Sequence, residues 1–267
     1  MIKIGKGVKK VKPRDKVCLS WVPSTGINAG GATYYYKKKK INAGPVNTFS
    51  EYSIISENKV HKLSSNANLK KSVLLGCAIP TAFNCIFSNT INANKKKILI
   101  IGCGGLGLAT VHAAKIVKFK DIYVYEKNKR KIKIAKKLGA NHFIETNKLS
   151  DFKDYFDYVI ECSGNSDLLN QTLNLSKRFG GKVLIIGNYK NNKFLVTNPW
   201  QLLYGKQISG SWLESFNYDL HFKKFEKAIG KLNFKLLFGN RTYSLNKINS
   251  AINDLKKGRV IRPLLKL

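Results

Sequence analysis

The chain has 267 residues, in which 48 Lys and Arg stand against 15 Asp and Glu, a formal net charge of +33. Its length suits one large domain or two small ones, and 43% hydrophobic with 11% aromatic residues excludes a disordered polybasic tail, which lacks the apolar surface to fold. Nearly all the positive charge is Lys, with Arg only at positions 14, 130, 178, 241, 259 and 262, whereas specific nucleic-acid readers lean on the planar fork of Arg.

In chain order, the start Met1-Ile2-Lys3-Ile4-Gly5 is basic but lacks the apolar stretch of a signal peptide. Residues 1 to about 75 read as β-rich, with runs such as Val17 to Trp21 and Phe49 to Ile55 between Gly, Pro and Asn turns. Within them Tyr34-Tyr35-Tyr36 precedes Lys37 to Lys40, rings that could stack bases beside charges that could grip phosphates. A surface strand running into a loop is the preferred expectation. Lys also travels with Asn and Ile, as in Ile91-Asn92-Ala93-Asn94-Lys95-Lys96-Lys97; all three have A/T-rich codons, so genome bias accounts for the trend and no nucleic-acid partner is expected.

From about residue 95 short apolar strands alternate with helices. Strand Lys97 to Ile101 leads to helix Gly105 to Lys118, strand Asp121 to Tyr125 to helix Lys127 to Leu138, and a short strand spans His142 to Glu145. Strand Asp157 to Glu161 leads to helix Asp167 to Ser176, and strands Lys182 to Ile186 and Gln207 to Trp212 follow. This pattern predicts an α/β fold with a doubly wound parallel sheet buried on both faces. The tail offers helices Asp219 to Ala228 and Leu245 to Lys257 and a strand from Arg259 to Lys266. The apolar run Ile98 to Ala114 is broken by Gly102, Gly104, Gly105 and Gly107, which would weaken a spanning helix, so no membrane segment is expected. The five cysteines (18, 77, 85, 103 and 162) are odd in number and form no CxxC pair. That argues against a disulfide framework and fits a reducing, cytoplasmic setting.

The strongest chemistry lies in Ile101-Gly102-Cys103-Gly104-Gly105-Leu106-Gly107, a GxGxxG that leaves a strand and enters a helix. Gly102 allows the tight turn, Gly104 lets backbone N–H groups approach a pyrophosphate, and Gly107 lets helix and strand pack closely. The helix N-terminus adds its partial positive charge. Glu126 closes the next strand at the distance expected for a ribose contact. A carboxylate there accepts from ribose hydroxyls and repels a 2′-phosphate, so NAD is favoured over NADP. Lys127, Lys129, Arg130 and Lys131 argue the other way, yet basic residues are common throughout this chain.

With the N-terminal run Gly5 to Val17, Phe49-Ser50-Glu51-Tyr52, Leu75-Gly76-Cys77 with Thr81, the GxGGxG loop, Lys137-Leu138-Gly139-Ala140 and Gly258-Arg259-Val260-Ile261-Arg262, the chain resembles the zinc-type medium-chain alcohol dehydrogenase family from end to end. The resemblance implies an incomplete GroES-like β-barrel segment (1–78), a Rossmann domain (79–213) and a C-terminal return to the first (214–267). It further implies hydride transfer between NAD and an alcohol or carbonyl substrate, in a homo-oligomer, dimer or tetramer. By the same resemblance Cys77 matches a catalytic zinc ligand and Thr81 a residue against the nicotinamide. Gly102, Gly104, Gly105 and Gly107 match the pyrophosphate loop, Glu126 and Lys131 the adenosine-ribose contacts, and Arg262 a basic residue reaching the cofactor phosphates.

Departures from the pattern accompany the matches. The family's other catalytic zinc ligands and its proton relay belong to a segment that precedes this chain's first residue, so the zinc site is expected to be incomplete, with Cys77 as its one remaining ligand. Thr25 to Lys40 contains none of the four cysteines of the structural-zinc lobe, and Arg14 stands at a turn where the family has Gly. His61 is expected to lie on a surface strand and His112 mid-helix; Cys18, Cys85, Cys103 and, by default, Cys162 are expected to pack as small hydrophobes, which is also the plainer role for Cys77. Two other functions stay open: an NAD-binding remnant without catalysis, and a polybasic nucleic-acid-associated protein.

Overall fold

The computed structural model describes residues 1–212, 218–230, 232, 233, 235–239 and 241–267. The chain divides into two compact units, one of Met1–Pro80 with Glu214–Leu267 and the other of Thr81–Leu213. The expected boundary at 213/214 lies outside the described residues.

In the first unit β1 (Val17–Leu19), β2 (Tyr34–Tyr36), β3 (Lys39–Ile41) and β4 (Val60–Lys62) precede helix α1 (Leu69–Ser72), and α2 (Ala78–Asn89) starts at the end of this unit and lies mostly in the second. β1 pairs with β4 and β2 with β3, both antiparallel. The β2–β3 hairpin turns on Lys37 and Lys38, both at positive φ, and its tyrosines and lysines are largely exposed, as expected for a surface strand. Glu57 is buried and its carboxylate accepts from the backbone N–H groups of Lys9, Lys10 and Ile27 at 2.7–2.8 Å. These bonds hold its carboxyl below the usual range and tie the N-terminal arm to the loop before β2. Arg14 has φ +71°, so an Arg occupies the left-handed turn where glycine would be unstrained.

Two sequence expectations fail in this unit. No strand forms over Phe49–Ile55; side chains there satisfy the chain locally, with Ser53 Oγ donating to the Asn47 carbonyl (2.7 Å) and the Ile54 N–H donating to Tyr34 Oη (2.9 Å). His61 is not on the surface but 1% exposed. Its cross-strand partner Cys18 is buried too, because both lie on the face that α7 (Tyr218–Gly230) covers with Tyr218 and Phe222, whose rings sit 4.2 and 5.1 Å from the imidazole.

His61 Nδ1 lies 3.2 Å from Asp219 Oδ1, which also pairs with Lys10 at 3.0 Å. Burial, helped by Lys10 and opposed by Asp219, pulls the imidazole pKa down to about 4 from 6.5. The folded chain therefore binds fewer protons than the unfolded chain between those values, and stability falls as pH drops from about 6.5 towards 4. The loss is roughly 3 kcal/mol at one pKa unit per 1.36 kcal/mol. Urea unfolding at pH 7 and pH 4.5 should show this difference in the wild type and a much smaller one in His61→Leu. Equal pH dependence in both would contradict it.

The second unit carries β5 (Lys97–Ile101), α3 (Gly105–Ile116), β6 (Asp121–Tyr125), α4 (Lys129–Leu138), β7 (His142–Ile144), β8 (Tyr158–Glu161), α5 (Ser166–Leu175), β9 (Lys182–Ile185), α6 (Trp200–Leu203) and β10 (Gln207–Gly210). The six strands form one all-parallel sheet ordered β10-β9-β8-β5-β6-β7. The chain starts at the centre, winds outward through β7, returns to β8 beside β5 and winds outward the other way. This is the doubly wound Rossmann arrangement, with its switch point between β5 and β8. Ile98 to Ile101 are all fully buried because a parallel sheet is covered on both faces. On one face Leu99, Ile101, Tyr123, Phe156, Val159 and Val183 form a single core. α3 is buried from Gly107 to Ala114, with His112 mid-helix as expected. α4 instead starts on an Asn128 cap whose side chain accepts from the N–H groups of Arg130 and Lys131, and it stops at Gly139, φ +122°.

The tail holds α8 (Lys235–Phe238), β11 (Thr242–Ser244), α9 (Ile248–Lys256) and β12 (Leu264–Lys266), with β11 and β12 parallel. The expected strand from Arg259 shortens to β12 because Pro263 has no N–H to donate and the Arg262 N–H goes to the Leu237 carbonyl. Among the described residues of the first unit the strands form three two-stranded ladders. Among the described residues no single helix is long and apolar enough to cross a membrane.

Candidate functional site

The glycine motif sits at the C-terminal end of β5, beside the switch point. Gly102 has φ +88°, its N–H donates to the Tyr125 carbonyl (2.9 Å), and a Cβ there would lie 2.9 Å from Cα and Cβ of Ser163. Only glycine fits that turn. Gly107 packs so closely that an added Cβ would collide with the Gly102 carbonyl oxygen and touch the Cys162 Cβ at 3.5 Å. Gly104 differs from both. It caps α3, and a Cβ built on it meets nothing within 4 Å. An open space therefore lies against bare backbone at the start of a twelve-residue helix, whose first-turn N–H groups have no intrahelical acceptor. An anion with several oxygens suits that place. Gly105 is the first residue of the helix.

Glu126 follows the end of β6. Its Oε2 accepts from the Cys103 N–H (2.9 Å), inside the glycine motif, and its Oε1 accepts from the Asn128 N–H (2.9 Å). Lys131 Nζ stands 3.8 Å away on the next helix. Two carboxylate oxygens offer about four acceptor sites, so capacity remains for a hydroxyl group. The structure thus brings Gly102, Gly104, Gly105, Gly107, Glu126 and Lys131 together at one end of the sheet.

Thr81 is half-buried in the first turn of α2. Cys77 and Arg262 belong to the first unit. Cys77 is exposed, so it does not take the buried role of an ordinary packing cysteine. Arg262 is half-buried, its Nε lacks a hydrogen-bond partner among the described residues, and burial pushes its guanidinium below its ordinary pKa while Cys77 acts to raise it. Among the described residues no group of three or more His, Cys, Asp or Glu side chains is placed to hold a metal ion, and His61 is committed to Asp219. These residues do not fit a catalytic zinc, which needs three protein ligands and an open position. Cys18, Cys85 and Cys103 are buried, with their thiols pushed up to about 12 by burial. Cys162 is half-buried with its thiol also raised. Packing suits all four.

Sequence reasoning missed Glu161, which ends β8 on the opposite side of the switch point and is 0% exposed. Its Oε1 accepts from the Ser163 N–H (2.8 Å) and hydroxyl, and its Oε2 accepts from the Gly164 N–H (3.3 Å) and the Tyr189 hydroxyl. The signal was a single acid at the end of an apolar buried run, the same signal that Glu126 gives two strands earlier in the first half.

Residues 105–232 match the family model of zinc-binding dehydrogenases. The probable S-(hydroxymethyl)glutathione dehydrogenase 1 of Schizosaccharomyces pombe is 25% identical over 97% of this chain and 78% of its own length. The alcohol dehydrogenase class-2 isozyme 2 of Oryctolagus cuniculus is 27% identical over 82% of this chain and 60% of its own. Among solved structures, the 2R,3R-butanediol dehydrogenase of Bacillus subtilis shares the fold, with a TM-score of 0.78 at 20% identity, covering 100% of this chain and 78% of that one.

Proposed function

We propose, from the match of residues 105–232 to the family model of zinc-binding dehydrogenases, that the chain is a member of the zinc-type medium-chain alcohol dehydrogenase family and an oxidoreductase of the alcohol dehydrogenase type, moving hydride between NAD and a small alcohol or carbonyl substrate. The observation that carries this reading is the open space at Gly104, at the start of α3, with Glu126 bonded to the same loop.

The nicotinamide of a bound dinucleotide supplies the hydride acceptor or donor. The residues of this chain bind and orient it. Backbone N–H groups from Gly104 to Gly107 and the α3 dipole receive the pyrophosphate. Glu126 accepts from the adenosine ribose hydroxyls, and its negative charge, 3.8 Å from Lys131, opposes a 2′-phosphate; this is the basis for NAD over NADP. Thr81 is assigned to the nicotinamide face and Arg262 to the phosphates. No step is derived through zinc, because the described residues supply Cys77 without the donor set that a zinc ion requires. A second copy of the chain is assigned to β10, the sheet edge whose outer side no strand covers among the described residues.

The test is one-to-one NADH binding by the intact chain, with NAD-dependent oxidation across a panel of primary and secondary alcohols. A folded chain that binds no NADH would sink the reading.

A further inference from the structure

We propose that Glu161 is the positioning residue of the nicotinamide-side half of the dinucleotide site; this rests on the NAD reading above and extends it across the switch point. A fully buried carboxyl is uncommon unless it is paired, and Glu161 makes no ion pair among the described residues although the chain carries 48 Lys and Arg. What it has instead is a ring of neutral donors drawn from separate turns. Ser163 gives its N–H and hydroxyl, Gly164 its N–H, and Tyr189 its hydroxyl. The Glu161 carbonyl also accepts from the Ile186 and Gly187 N–H groups at 3.0 and 2.9 Å. One residue thereby fixes both the turn after β8 and the loop after β9.

That placement reaches the glycine motif. Ser163, held by two bonds to Glu161, is the residue whose Cα and Cβ lie against the bare face of Gly102. Its hydroxyl in turn accepts from the Asn165 N–H (3.1 Å), at the cap of α5. Glu161 therefore sets how closely the β8 turn sits against the β5 turn. In a doubly wound sheet each half binds one mononucleotide. Glu126 lies in the β5–β7 half and serves the adenosine side; Glu161 lies in the β8–β10 half and serves the other. Tyr189 couples the far loop to it through one hydroxyl, so removing that hydroxyl loosens the loop while leaving the buried acid in place.

The experiment titrates wild type, Tyr189→Phe and Glu161→Gln with NADH and separately with 5′-AMP, which reads the adenosine half alone. NADH affinity is expected to fall about tenfold in Tyr189→Phe, the scale of one lost buried hydrogen bond, and further in Glu161→Gln. Affinity for 5′-AMP should stay within about twofold of wild type. A purely structural role predicts that both ligands weaken together, and that result would overturn the proposal, as would unchanged NADH binding. Should Glu161→Gln fail to fold, Tyr189→Phe decides the matter by the same two affinities. A wild type that binds 5′-AMP but not NADH would overturn the dinucleotide reading and this proposal with it. Wild-type NADH binding that the variants leave intact overturns this proposal alone.

Discussion

Gly107→Ala is expected to weaken NADH binding by at least about a hundredfold, a loss of about 2.7 kcal/mol, and to lower thermal stability as well. The added methyl would occupy the position of the Gly102 carbonyl oxygen, so the start of α3 must back away from β5. The helix has little room to yield. Leu108, Ala109, Val111, Ala113 and Ala114 are all 0% exposed, and interiors packed to that density transmit strain rather than absorb it. Gly104→Ala separates binding from folding. Its methyl enters open space, so the melting temperature should stay within a degree or two of wild type, while the methyl fills the volume proposed for the pyrophosphate and NADH binding collapses. Calorimetry and NADH titration on the two variants check both statements. A Gly104→Ala chain that binds NADH like wild type would show that the space has another use.

Removal of the Glu126 carboxylate should have the second-largest effect. In Glu126→Ala the Cys103 and Asn128 N–H groups lose their acceptor and the ribose loses its own, so NADH affinity should fall about ten- to a hundredfold, the cost of one or two hydrogen bonds to a charged group. Discrimination changes as well. Lys131, released from its neighbour at 3.8 Å, and Arg130 beside it then meet a 2′-phosphate without an opposing charge. The ratio of NADPH to NADH dissociation constants should exceed about ten in the wild type and approach one in the variant, since removing one repulsive charge is worth about 1.4 kcal/mol per tenfold. A ratio that does not move would place the choice of nucleotide elsewhere.

Much of the sheet was legible because its strands announce themselves chemically. Lys97–Ile101 and Tyr158–Glu161 are apolar runs bounded by polar residues, and the glycines between β5 and α3 are needed for reasons that do not depend on the rest of the chain. The misses share a different physics. Phe49–Ile55 has strand-forming residues, but Asn47, Ser50 and Ser53 bond to one another and to the loop backbone, so the segment gains its hydrogen bonds without a partner strand. His61 sits in a three-residue strand, too short for alternation to say which face is covered, and its burial is decided by α7, more than 150 residues later. The Glu161 clusters depend on Tyr189, 28 residues away. No local pattern signals that meeting. Cys77 shows the limit of a match by position: the residue type agrees with a zinc ligand, yet the described residues do not gather the remaining donors.

The most direct measurement is a fluorescence titration of the intact folded chain with NADH, competed by NAD and by 5′-AMP. Saturation at one NADH per chain, displacement by both competitors, and loss of the signal in Gly104→Ala at unchanged melting temperature are expected. Absence of saturable binding up to about 1 mM, the weak end of specific recognition at roughly 4 kcal/mol, in a chain whose melting confirms that it is folded, would contradict the proposed function.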